Sequence, residues 1–275
     1  MSTILHTTSS TRPAHAAGRI AFETDTGNLI ISNGTIWRIF NYDDAISGTR
    51  EFTSNNYSAY FDGTDDYIDT GNKFDFIQQT CTFTVTCWAK WTNYNASTSE
   101  NQSIIASTST GSQKGLYFYY DSRGGTRNLK AMLSGDTFVT LTATGGIGDN
   151  NWHHYAISSS GPGGSFKLYR DGIVIASGTS PATTTATAYH TMNLGLGSGG
   201  YGYLTDAYLD EVAIFKRELT STEIDNIIDN KSYDNFSAMY RLENNAEDEV
   251  GVNNGTIYGG ITFASKSDGS TNTPY

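Results

Sequence analysis

Two groups of acids suggest oxygen chemistry: a cluster of Asp62, Asp65, Asp66 and Asp69, and later Asp206, Asp210 and Glu211. Carboxylates grouped in this way are hard ligands of the kind calcium takes. Their spacing is not that of an EF-hand loop, and Asp beside Gly63 is also the ordinary chemistry of a turn. His153 and His154 are neighbours in a strand-like run, so their side chains leave opposite faces and cannot share one metal. One should pack inside and the other face solvent. His6, His15 and His190 stand in polar contexts, and residues so scattered form no Ser/His/Asp order. Cys81 and Cys87 sit in one β-like run at a separation of roughly 20 Å along a strand. A disulfide needs Cα atoms within about 7 Å, so both are expected to stay free, which suits a reducing cytoplasm.

A sugar site would need exposed aromatic planes beside amides or carboxylates, because stacking covers the apolar face of a pyranose. Tyr201 and Tyr203, in the glycine-rich run 195–203, are candidates, as are Trp91 and Tyr94 beside a polar loop. Tyr117 and Tyr119 share one face of their strand. Packing is the ordinary alternative for all of these rings.

The elements that position these residues read as β-structure. Alternating runs recur at 58–61, 80–89, 103–106, 115–120, 128–133, 152–157, 165–169, 173–176 and 208–215. Turn residues divide them, among them Asp62-Gly63, Arg123-Gly-Gly125, Gly161-Pro-Gly-Gly164 and Asp171-Gly172. Many evenly spaced strands without intervening helices predict a sandwich or barrel. One helix is predicted where Thr220 and Glu223 form a capping box ahead of Ile224, Ile227 and Ile228. Near the start, 18–22, 29–32 and 35–39 read as three short strands joined by turns at 25–28 and at Asn33-Gly34. Residues 1–17 show no periodicity and read as an extended arm. The expected division is an N-terminal arm and hairpin region at 1–50, a sandwich at 51–265 and a tail at 266–275.

Composition narrows the function classes. With 17 basic and 28 acidic residues, the net charge is −11, and a basic surplus able to displace counterions from nucleic acid is missing. The 29 Gly and 18 Tyr favour turns and strands. No apolar run approaches the roughly 18 residues of a membrane span. The first residues lack the basic flank and apolar stretch of a secretion signal.

Five segments carry a family resemblance: Phe61-Asp-Gly-Thr-Asp-Asp-Tyr-Ile68, Phe83-Thr-Val-Thr-Cys-Trp88, Trp152-His-His-Tyr155, Leu168-Tyr-Arg-Asp-Gly172 and Leu209-Asp-Glu-Val-Ala-Ile-Phe215. In this order, over roughly 55–220, they resemble laminin-G-like domains. That resemblance implies an all-β fold, the concanavalin A-like jelly-roll sandwich of two antiparallel sheets. It also implies that calcium is the cofactor to look for, with Asp62 and Asp210 as first ligand candidates. Glycanases on such a sandwich share a Glu-x-Asp-x-x-Glu strand whose carboxylates stand about 5 Å apart. Glu23-Thr-Asp25 begins that pattern, but Asn28 replaces the second Glu, and an enzyme is not expected. Ala238-Met-Tyr-Arg-Leu242 and Asp248-Glu-Val-Gly-Val-Asn-Asn-Gly-Thr-Ile257 resemble segments that normally precede the first motif. The region 237–264 is therefore expected either to close its own sheets in permuted order or to be lent to a neighbouring subunit.

The stretch from Arg12-Pro13 through Phe22 to Trp37 is similar to an element of bacteriophage tail-fibre and other virion proteins. The resemblance implies a non-enzymatic virion protein, a tail fibre or head decoration, in which Arg12, Pro13, Phe22 and Trp37 serve assembly. Its partners would be capsid or tail subunits and further copies of itself, a trimer in a fibre, with host glycans as an added ligand. The alternative is an exported bacterial carbohydrate-binding or adhesin module.

Overall fold

The computed structural model describes residues 5–8, 10–11, 13–14, 19–24, 28–32, 37–39, 50–51, 55–92, 101–108, 112–121, 123–125, 127–144, 149–197, 203–265 and 274. The chain forms two compact units, Met1–Thr49 and Arg50–Tyr275.

In the first unit, β1 (Leu5–Thr7), β2 (Ile20–Glu23), β3 (Asn28–Ser32) and β4 (Trp37–Ile39) make one sheet in the order β1-β2-β3-β4. The three expected strands are present, but the arm is not wholly extended coil. Leu5–Thr7 runs parallel to β2, with Leu5 opposite Ala21. This strand is too short to show a period of two, and its backbone bonds to β2 rather than its side-chain pattern define it. Ala21 and Ile30 stand opposite each other and are fully buried.

The second unit begins with β5 (Arg50–Glu51), β6 (Tyr57–Asp62) and β7 (Tyr67–Asp69), then helix α1 (Phe76–Thr80) and β8 (Thr82–Trp91). Next come β9 (Asn101–Ala106), β10 (Gly115–Asp121), β11 (Asn128–Ser134), β12 (Phe138–Ala143), β13 (His153–Ser160), β14 (Ser165–Arg170), β15 (Ile173–Thr179) and β16 (Asn193–Leu194). The remainder comprises β17 (Asp206–Phe215), α2 (Ser221–Asn230), β18 (Ser232–Tyr233), β19 (Ala238–Tyr240), β20 (Thr256–Tyr258) and β21 (Thr262–Ser265). One sheet has the order β12-β11-β10-β9-β16-β7-β20. The other has β15-β14-β13-β8-β17-β6-β21, with β19 also on β17, and β5 pairs with β18. Their main neighbours are antiparallel, and the fold is the expected jelly-roll sandwich.

Alternation explains the layers. From β8, Phe83, Val85, Cys87, Ala89 and Trp91 enter the core between the sheets. From β10, Leu116, Phe118 and Tyr120 meet them from the opposite sheet. Each fully buried side chain of this size contributes about 1.5–3 kcal/mol of apolar burial. The expected strand at 80–89 needs correction: β8 starts at Thr82, and Cys81 is the left-handed cap of α1 at φ +49°. Ile77 and Gln78 are buried under the sandwich, and this tertiary burial holds a turn of helix that has no side-chain cap. Cys81 and Cys87 are both free and buried.

The predicted capping box is present. Thr220 Oγ1 accepts from Glu223 N at 3.2 Å, and Thr220 N donates to Glu223 Oε2 at 2.8 Å. Helix α2 lays Ile224 and Ile227 over Ala156, Ala213 and Phe215 on the outer face of the β8-containing sheet. The C-terminal segment closes the sheets of its own chain: β20 pairs with β7, β21 with β6 and β19 with β17.

Candidate functional site

Helix α2 covers only part of that outer face. Beyond it, antiparallel register lines up one residue from each neighbouring strand: Lys90 on β8, Tyr208 on β17, Tyr60 on β6 and Thr262 on β21. Residues opposite one another share a face, so these four form a row across the sheet. Trp152, just before β13, extends it. All three aromatic rings of the row are half-buried, with surface left to solvent. Tyr60 and Tyr208 have ring centroids 4.8 Å apart and planes inclined by 34°. Trp152 lies 6.2 Å from Tyr208, at 55° to it. The Lys90 ammonium sits 5.6 Å from the Tyr208 centroid, a cation–π contact, and burial pushes its pKa down.

A carboxylate borders the row at its Tyr60 end. Tyr60 OH donates to Asp206 Oδ1 at 3.2 Å, and the Thr92 hydroxyl donates to the same oxygen. Burial first, and then the neighbouring Asp206 charge, push the Tyr60 hydroxyl up to about 12. It therefore stays a neutral donor at physiological pH. Aromatic faces beside a carboxylate are the chemistry that binds the apolar face and the hydroxyls of a sugar.

Between this row and the helix-covered part lies a buried polar divide. His154, Trp88 and Asp210 stand opposite one another on β13, β8 and β17, and all three are buried. Asp210 Oδ2 accepts from Asn55 Nδ2 at 2.7 Å, and Oδ1 accepts from Glu211 N at 2.9 Å. Glu211 occupies a bulge at φ +47°, and its Oε1 accepts from Arg241 Nε at 3.3 Å. Burial, reinforced by the adjacent Glu211 charge, raises the Asp210 pKa well above the carboxylate range. Burial lowers His154 to about 3, so the ring is neutral. The Lys231 ammonium closes the divide 5.5 Å from the Trp88 ring centroid. Both Asp210 and Glu211 are wholly shielded from solvent, so their geometry is that of a structural anchor beside the row.

The residues singled out from sequence are distributed differently. Trp91 is 3% exposed and packs in the core between Tyr120 and Tyr155 at 5.7 and 5.5 Å, which corrects its reading as a stacking surface. The β8 alternation turns it inward, while Lys90 beside it points out. Tyr203 is half-exposed and packs near Tyr117 at 6.4 Å, and Tyr117 stacks on Tyr119 at 4.0 Å. Tyr117 and Tyr119 are buried, so this trio is a packed cluster with Met132. Beside it, burial would raise Asp121, but hydrogen bonds from Arg123 and Lys130 at 3.0 and 2.7 Å outweigh that and hold it at about 2. Tyr94 and Tyr201 lie outside the described residues, as does Arg12. Pro13 and Phe22 are half-buried, with the His6 ring edge-on to Phe22 at 5.9 Å. Trp37 lies in β4.

Asp62 and Asp210 are not brought together. Asp62 stands opposite Asp206, four positions along β17 from Asp210, and is exposed where Asp210 is buried. Asp62 does gather with Asp65 and Asp66, their carboxylate oxygens within 4.8 Å of one another. Those oxygens serve the turn: Asp66 accepts from Asp62 N and Gly260 N, and Asp62 from Thr64 N at 2.7 Å. The two histidines leave opposite faces as expected, but His153 is half-buried rather than facing solvent. His154 is buried, and His153 lies at the rim between Asp171 at 2.6 Å and Asp149 at 2.9 Å. Sequence reasoning missed the row of Tyr60, Lys90, Trp152 and Tyr208. The available signal was that both tyrosines fall on the outward phase of their strands.

Residues 62–225 match the family model Laminin_G_3, described as the concanavalin A-like lectin/glucanases superfamily. No curated protein matches the sequence significantly. Among solved structures, a candidate carbohydrate-binding protein of Bacteroides ovatus superposes with a TM-score of 0.55 at 16% identity, covering 77% of this chain and 60% of that one. The chain thus spans less than two thirds of that protein's length. The heptameric SAP-like pentraxin of Limulus polyphemus gives 0.49 at 13% identity, covering 77% and 95%. Domain 4 of an extracellular arabinanase of Geobacillus stearothermophilus, in complex with arabinotriose, gives 0.46 at 16% identity, covering 66% and 87%. The sandwich topology and a family match over more than half its length agree: the chain belongs to the concanavalin A-like lectin/glucanase superfamily.

Proposed function

We propose that this protein is a non-catalytic carbohydrate-binding module whose ligand lies on the Tyr60–Tyr208–Trp152 row. The observation that carries the reading is the half-exposed alignment of three rings beside the Asp206 carboxylate. The ring surface that Lys90 and the neighbouring ring leave open takes the C–H side of a sugar, and the carboxylate takes its hydroxyl donors. The Bacteroides ovatus protein, described as a candidate carbohydrate-binding protein, supports the reading at the level of fold. Isothermal titration with soluble glycans tests it. Tyr208→Ala should weaken binding by at least about tenfold, about 1.4 kcal/mol, with the unfolding transition retained. Undiminished affinity in that variant would move the ligand elsewhere.

A virion role, with capsid or tail partners, rests on the resemblance between Arg12 and Trp37 and on no structural observation. The carbohydrate-binding module, the alternative drawn from sequence, is the better supported reading.

A further inference from the structure

We infer that the row takes the interior of a single, soluble, neutral polysaccharide chain rather than a chain end or a crystalline surface; this rests on the carbohydrate-binding reading above. A chain end is recognised by enclosure, because a terminal sugar has a unique edge that walls can surround. The row is instead laid across adjacent strands of a sheet face. Two clefts of the sandwich are lined by other residues. One of about 420 Å³ includes Lys167, Tyr169 and Glu218, and one of about 400 Å³ includes Asn72, Phe76 and Lys216. A platform contacts the faces of successive sugars and leaves both ends of the chain free to continue.

The ring planes decide between a single chain and a crystal face. Tyr60 and Tyr208 are inclined by 34°, and Tyr208 and Trp152 by 55°. No flat surface can lie on all three rings at once. A chain that twists from one sugar to the next can turn a face to each. Charge then selects the kind of chain: the row's own cation, Lys90, lies against the Tyr208 ring, and the acids gather at the Tyr60 end. Asp206 borders the row, exposed Asp62 lies opposite it, and exposed Asp65 lies close to Asp62. The chain as a whole carries −11. A polyanionic glycan would meet like charge at that end, whereas neutral hydroxyls find acceptors there.

The test uses the full chain and defined probes: neutral oligosaccharides of the xylo-, manno- and β-1,3-gluco series from one to six sugars, polygalacturonate, and microcrystalline cellulose. Affinity for at least one neutral series should rise by about tenfold or more between the disaccharide and the hexasaccharide. Trp152→Ala should flatten that rise while leaving the unfolding transition in place. Tightest binding of a monosaccharide, preference for polygalacturonate, or retention on microcrystalline cellulose alone would overturn the inference and leave the carbohydrate-binding reading standing. Absence of binding to every probe would remove both.

Discussion

His153 shows how single side chains fix the rim of the sandwich. Its Nδ1 meets Asp171 and its Nε2 meets Asp149, which ties the β14–β15 turn to the segment before β13. Burial alone would lower its pKa, but the hydrogen bonds to the two carboxylates outweigh that and raise it, with the Arg170 charge in opposition. A raised folded value means that the contribution is complete below the unfolded value of about 6.5 and is lost as pH rises through the folded one. Asp149 and Asp171 are both lowered: burial opposes the shift, and His153 with backbone donors overcomes it. Their contribution is present above the unfolded value of about 3.9 and fades as pH falls. The clasp is therefore strongest between about pH 4 and pH 6.5. His153→Gln should lower the urea midpoint most within that window and least at pH 9. Equal loss at both pH values would show that the ring acts by packing alone.

At the scale of elements, α2 depends on its first turn. Thr220→Ala removes the side chain that accepts from Glu223 N and should cost about 1 kcal/mol in denaturant unfolding. No change in midpoint would mean that α2 is held by its buried face alone. This helix was legible because its cap and its isoleucine spacing are local. The long strands were legible for the same reason: Phe83, Val85 and Cys87 alternate with threonines. The two- and three-residue strands Asn193–Leu194 and Tyr67–Asp69 are shorter than any periodic window. The row of rings was not legible, because register sets it. Tyr60 and Tyr208 are brought together by the pairing of β6 with β17, far apart in the chain. Trp91 was misjudged because the expected strand stopped at residue 89, whereas β8 continues to Trp91 and its alternation carries that ring into the core.

For the whole molecule, closure of the sandwich depends on its last strands. Tyr240, Leu242 and Ala246 enter the core, and β19, β20 and β21 reach both sheets. Deletion of 237–275 should abolish the cooperative unfolding transition and the near-ultraviolet circular dichroism; a cooperative transition in the shortened chain would mean that the remaining strands suffice. The intact sandwich in turn holds the Tyr60, Tyr208 and Trp152 rings at their mutual angles, and the ligand-binding account rests on that arrangement. Of the tryptophans, Trp88 and Trp91 are buried and Trp152 borders solvent. The most direct measurement follows the tryptophan indole N–H signals by NMR while a neutral hexasaccharide that binds is titrated in. A shift of the Trp152 signal with saturation, and a still Trp91 signal, is the predicted result. A saturating ligand that leaves Trp152 unmoved would contradict the account.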